Sequence, residues 1–157
     1  EIYHNYLYPD NPRYNSTYTY NPDINGNFLI TSADTDDTDI EADYAKVHFY
    51  LNIDKLDSGK SIYVSGNFNG YQLNSSNKMT YNNLKNNYEL IIKLKQGFYN
   101  YKYSVLDNLN EEIMGYISGN FDETENNYKV IVYYRDYGSR YDRVIGYNNI
   151  NSIKINN

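Results

Sequence analysis

The sequence predicts an all-β sandwich, and three observations carry the prediction. Hydrophobic residues alternate with period two in several short segments, turn-forming residues separate those segments, and no window of helical length keeps an i, i+3, i+4 apolar stripe. A chain of 157 residues is long enough for one ordinary core, and a second full domain would be crowded.

The clearest strand is residues 45–53, where Ala45, Val47, Phe49, Leu51 and Ile53 alternate with Lys46, His48, Tyr50 and Asn52. One face of such a strand is buried and the other solvated. Further strands are predicted over 61–66, 87–95, 98–106, 112–118 and 126–135. Between them lie Asp57-Ser58-Gly59, the Gly66–Gly70 loop, Gln96-Gly97 and Asp107-Asn108, residue types that set turns. The core is assigned to Val47, Phe49, Leu51, Val64, Leu90, Ile92, Val130 and Val132. Twenty-two tyrosines with no tryptophan fit half-buried pleated surfaces whose hydroxyls find partners.

The sequence divides into an extended N-terminal segment with an acidic connector, 1–43, and a sandwich domain with a Tyr/Arg-rich C-terminal tail, 44–157. Within the first part only "GNFLITS", residues 26–32, reads as a strand. The run "DTDDTDIEAD", 34–43, offers five aspartates and one glutamate. Alternate oxygens suit a hard cation, but the central glycine and closing bidentate glutamate of a calcium loop are missing, so the run is read as a solvated connector and no metal is expected.

Twenty acidic against fourteen basic residues give a net charge of −6, the wrong sign for neutralising phosphates, and nucleic acid is not expected as a partner. Without cysteine there are no disulfides and no thiolate metal sites. The longest apolar runs, "LIIKL" and "VIVYY", fall far short of the roughly 20 residues of a membrane-spanning helix. No membrane insertion is expected. The opening "EIYHNYLYPD" has neither a basic n-region nor an apolar h-region, so no signal peptide is expected in this stretch.

Enzyme chemistry finds few candidates. His4 and His48 are the two histidines, and neither has a sequence partner that would make it a base or a ligand; both are assigned to surface or packing. There is no nucleophile elbow, and Glu111, Glu112, Asp122, Glu123 and Glu125 lie at turns where acidic residues are common. The protein is read as non-catalytic, with no cofactor. In "VYYRDYGSRYDRVIGY", residues 132–147, arginines alternate with aspartates among tyrosines. Arg and Tyr are enriched at interface hot spots, so Arg135, Tyr137, Arg140, Tyr141, Asp142 and Arg143 form a candidate protein-binding surface. The alternative is internal: Arg–Asp pairs and Arg–Tyr stacks that tie down the tail.

Six blocks, "EADYAKVHFYL", "IYVSGNFNGYQL", "MTYNN", "YELIIKLKQGFYNYKYSV", "TENNYKVIVYYR" and "RYDRVIGYNNINS", together resemble the C-terminal domain of the type IX secretion system plug protein family of Bacteroidota. The resemblance runs from about "DINGNFLI" to the end of the chain. It implies a periplasmic, outer-membrane-associated module that helps close a translocon through contact with its barrel protein; the oligomeric state is left open, with a monomer favoured. Members of that family carry a further N-terminal domain.

A second resemblance joins "VSGNFNGY", "LKQGFYNYKYSVLDN" and "TENNYKVIVYY" to the glycogen-binding domains of AMP-activated kinase β-subunits and branching enzymes. It implies an immunoglobulin-like (early set) β-sandwich. By this likeness Gly66 lets the backbone turn, Phe68 plugs the core edge, and Tyr71 stands where a sugar-stacking tryptophan would be. Asn69 and Tyr71 are then the candidate carbohydrate-binding residues. Asn67 and Asn69 are expected to supply left-handed turn positions.

Overall fold

The computed structural model describes residues 2–19, 23–32 and 37–152. The described residues are nearly all β, with one helical turn, α1 (Thr38–Glu41), and a 3-10 turn at Asn67–Asn69. The strands are β1 (Tyr3–Tyr6), β2 (Phe28–Ile30), β3 (Tyr44–Leu51), β4 (Ser61–Ser65), β5 (Thr80–Asn82), β6 (Asn87–Lys95), β7 (Gly97–Tyr99), β8 (Lys102–Leu106), β9 (Asn127–Tyr134) and β10 (Arg143–Asn151). Two compact units result, Glu1–Phe121 and Asp122–Asn157.

The first unit is the sandwich. One sheet has the order β1-β3-β6-β5, in which β3 and β6 run antiparallel from Tyr44↔Lys95 to Leu51↔Tyr88. The facing pair is β4 and β8, antiparallel from Ser61↔Leu106 to Ser65↔Lys102. Residues 77–79 run alongside β4, with Val64 N–H donating to Asn77 O at 3.0 Å and Met79 N–H to Ile62 O at 2.8 Å. The core is Phe49, Leu51, Ile62, Val64, Met79, Tyr88, Tyr103, Val105 and Ile117. Each fully buried aliphatic side chain there contributes about 1.5–3 kcal/mol relative to exposure. Phe49 and Leu51 are buried as the alternation requires, Val64 is buried in β4, whose residues 62–65 are buried on both faces, and Val47, Leu90 and Ile92 pack against the cluster partly exposed.

Several expectations are corrected. Val130 and Val132 are 48 % and 46 % exposed, because β9 pairs with β10 and contributes nothing to the sandwich core. Residues 98–106 are two strands, β7 pairing with β2 and β8 with β4, broken at Asn100 and Tyr101. In 112–118 only Glu112 bridges, to Leu106, and Gly115 in the left-handed region (φ 70°) turns the rest into loop. That loop still delivers Ile117, 1 % exposed, to the core.

The N-terminal segment contributes a strand that alternation did not show. β1 lies parallel on β3, and the ladder continues as Leu7 N–H donates to His48 O and Asp10 N–H to Tyr50 O. Asp10 ends this run in a lock: one carboxylate oxygen, Oδ2, accepts from the hydroxyls of Tyr101 and Tyr103, each at 2.7 Å. Burial and then the Asp10 hydrogen bond push both phenols well above the ordinary tyrosine range, so both stay neutral donors.

Candidate functional site

Strand β4 runs directly into the loop that carries the two candidate sugar-binding residues. Gly66 is extended (φ −174°), so its role is not a left-handed turn. A Cβ there would lie 2.6 Å from Asn100 O and 2.7 Å from the Phe68 ring. Glycine is needed because another backbone comes this close. Asn67–Asn69 then form a 3-10 turn, and the left-handed positions fall on Gly70 (φ 61°) and Tyr71 (φ 55°), not on Asn67 and Asn69 as expected. A left-handed non-glycine residue costs about 1–2 kcal/mol. Here Tyr71 N–H donates to Gly66 O at 3.0 Å, which fastens the turn.

Each side chain of the loop then has a defined task. Phe68 packs against the core cluster and meets the Tyr99 ring edge-on at 5.7 Å between centroids. Asn69 closes the loop on itself, Oδ1 accepting from Gly66 N–H at 3.1 Å and Nδ2 donating to Val64 O at 3.2 Å. Its amide is thus committed to the fold. Tyr71 alone presents a large aromatic surface, half-exposed at 50 %, and its hydroxyl donates to Gly26 O at 2.9 Å.

Gly26 belongs to an N-terminal segment laid beside the loop. Asn25 (φ 55°) and Gly26 (φ 74°) are both left-handed, the pair of conformations an Asn-Gly turn supplies. Ile24 N–H and Gly26 N–H donate to Asn100 Oδ1 at 3.1 and 3.0 Å, and Asn100 N–H donates to Asn27 O at 3.0 Å. Asn67 Nδ2 donates to Asn27 Oδ1 at 2.7 Å. The segment continues as β2, antiparallel to β7 from Phe28↔Tyr99 to Ile30↔Gly97. Sequence reasoning found the strand and its place at the sandwich edge, and missed the hydrogen bonds that Gly26 and Asn27 make with the loop.

The candidate docking residues fall in the second unit, at and beside the turn between β9 and β10. Arg135 grips Asp142 through two hydrogen bonds, Nε to Oδ1 at 2.8 Å and a terminal nitrogen to Oδ2 at 3.0 Å. This pairing raises the guanidinium pKa. Arg143 pairs with Asp136 at 2.6 Å. Both pairs are exposed, so they order the turn within the hairpin and hold no buried charge. Tyr137 is fully exposed, Tyr141 is 66 % exposed, and Arg140 is exposed between them. Apolar side chains stand on both faces: Val130, Val132 and Tyr134 on one, Ile131, Tyr133 and Tyr147 on the other, none of them buried.

The remaining candidates do not converge. His4 and His48 meet each other on the outer sheet face, with Tyr6 stacked on His48 at 4.3 Å between ring centroids. Of the acidic run, residues 34–36 lie outside the described residues, and 38–41 form α1. Among the described residues no group of three or more His, Asp or Glu side chains could hold a metal ion. No helix among them is long and apolar enough to cross a membrane.

Comparison with known proteins bears on the loop. Residues 51–136, more than half of the chain, match the family described as the glycogen recognition site of AMP-activated protein kinase. The matched region begins at the end of β3 and contains the loop and Tyr71. A search of curated proteins returned no match. Among solved structures, the chain is similar to a hypothetical protein from Parabacteroides merdae ATCC 43184, with 40 % identity and a TM-score of 0.81. The match covers 96 % of this chain and 38 % of that one, so the chain spans well under half the length of that protein.

Proposed function

The chain belongs to the family of the glycogen recognition site of AMP-activated protein kinase, and from that premise we propose that it is a non-catalytic carbohydrate-binding module for α-linked glucans. The observation that carries this reading is Tyr71, a half-exposed aromatic ring at the tip of the Gly66–Gly70 loop inside the matched region. Its ring offers a face on which a pyranose can stack. One tyrosine is a poorer platform than tryptophan, and a single aromatic contact is worth about 0.5–1.5 kcal/mol beyond its buried area. Affinity is accordingly weak, with a Kd on the order of 1 mM. Isothermal titration with maltoheptaose tests the reading: heat lost in Tyr71→Ala supports it, and heat that is undiminished in Tyr71→Ala overturns it.

The hairpin favours a second reading. We propose that Arg135, Tyr137, Arg140, Tyr141, Asp142 and Arg143, with the uncovered apolar residues of β9 and β10, dock a protein partner. Exposed Tyr and Arg beside uncovered Val and Ile are the makings of an interface, whereas a free surface of this composition invites association. By the resemblance to plug proteins, the partner is the barrel of an outer-membrane translocon and the compartment the periplasm. Co-purification from outer-membrane extract checks it, and equal recovery with and without the hairpin residues overturns it.

A further inference from the structure

We infer that residues 24–30 act as an internal competitor at the Tyr71 loop, occupying the polar end of the sugar platform until a glucan displaces them. The inference rests on the carbohydrate reading of that loop and assigns its regulation.

Gly26 O takes the Tyr71 hydroxyl at 2.9 Å, the one group on that ring able to hydrogen-bond a sugar. Contact there is close: a Cβ on Gly26 would stand 3.0 Å from Tyr71 Oη. The neighbouring amide Asn67, also on the loop, gives its Nδ2 to Asn27 Oδ1. The segment therefore satisfies, from within the chain, hydrogen-bonding groups that a polyhydroxylated ligand would otherwise meet. Its own backbone is matched in turn, since Asn100 Oδ1 accepts from two of its N–H groups and Asn100 N–H returns a bond to Asn27 O.

The attachment is of a kind that can open. Leu29 is 58 % exposed and Phe28 36 %, and the main ring contact is Phe28 stacked on Tyr99 at 5.8 Å. Hydrogen bonds therefore do most of the holding, and each can be exchanged for water at small net cost. No apolar side chain of the segment belongs to the core cluster. The competitor is nonetheless built in on the sandwich side: a Cβ at Gly97 would sit 2.3 Å from Leu29 O, so β7 carries glycine where β2 comes closest.

Locking and loosening the segment test the inference, with maltoheptaose as probe and the whole chain as protein. The chain has no cysteine, so Leu29→Cys with Phe98→Cys, exposed partners in the β2–β7 register, gives a single reversible staple. Asn100→Ala removes the acceptor of two segment N–H groups, and Asn27→Ala is the milder variant should the first misfold. The stapled protein is expected to bind about threefold to tenfold more weakly oxidised than reduced, and the loosened variants to bind tighter than wild type by a similar factor. Equal affinity in oxidised, reduced and loosened forms, with loss in Tyr71→Ala, overturns the competitor and leaves the carbohydrate reading standing. No binding by any form, including the loosened ones, overturns both.

Discussion

Nδ1 of His4 lies 2.9 Å from Nε2 of His48, across the parallel pairing of β1 with β3. A hydrogen bond between two imidazoles needs one nitrogen protonated and the other bare. Burial, followed by the charges of His4 and Lys46, holds the His48 pKa below its ordinary value, while Glu89 pulls the other way. The unfolded chain, with histidine near pKa 6.5, then binds more protons than the folded chain just below that pH. Stability contributed by this group is complete above about pH 6.5 and declines as pH falls toward the lowered value. The melting temperature is expected to drop between pH 7.5 and 5.5, and His48→Gln to flatten that slope relative to wild type. Parallel profiles for the two proteins would remove the pair from the account.

Asp10 fixes the N-terminal run to the sandwich through one oxygen shared by two phenols. Truncation to Ala leaves the Tyr103 hydroxyl, on a residue 8 % exposed, without its charged acceptor. The expected loss in urea unfolding is about 2–3 kcal/mol, with Asp10→Asn intermediate because the amide oxygen still accepts. A loss under about 0.5 kcal/mol, the level of ordinary surface substitutions, would mean that the lock is ornamental.

The two loop glycines should respond differently to a methyl group. At Gly66 a Cβ meets backbone, Asn100 O at 2.6 Å, and the strands must shift; Gly66→Ala is expected to cost about 1–3 kcal/mol. At Gly70 a Cβ meets nothing within 4 Å, and only the left-handed φ of 61° is penalised, by about 1 kcal/mol. Thermal melts of the two variants check the order. The reverse order would show that conformation, and not close approach, governs this loop.

The parts of the fold that were legible in the sequence are those where one-sided burial writes a pattern. Residues 45–51 alternate because β3 has a core on one face and water on the other, and Phe49 and Leu51 followed directly from that. The strand β1, "YHNY", is held by backbone pairing and by stacked rings, neither of which needs apolar alternation. β9 misled for the opposite reason. Its run of Val, Ile and Tyr reads as a core strand, yet β propensity describes a pleated surface and is silent on what covers it. For the candidate site, Tyr71 was singled out only through the resemblance of its loop to the glycogen-binding domains. Its neighbour Gly26, 45 positions earlier, was not, because a hydrogen bond from a side chain to a distant carbonyl leaves no periodicity.

The hairpin turn separates docking from self-stabilisation. Arg143–Asp136 and Arg135–Asp142 are both roughly half-exposed, and pairs of that kind are worth about 0–1 kcal/mol. Replacing Arg140 and Arg143 together by Ala is therefore expected to leave the melting temperature within a few degrees of wild type, since Arg135–Asp142 still closes the turn. If the exposed Arg and Tyr side chains are a docking surface, the same variant loses most of its partner in co-purification, because truncation of interface arginines costs affinity out of proportion to their number. A variant that unfolds would show instead that the arginines hold the hairpin together. A stable variant that still recovers its partner in full would exclude this turn as the contact, and the exposed apolar faces of β9 and β10 would be the next substitutions to make, beginning with Val132 and Tyr133.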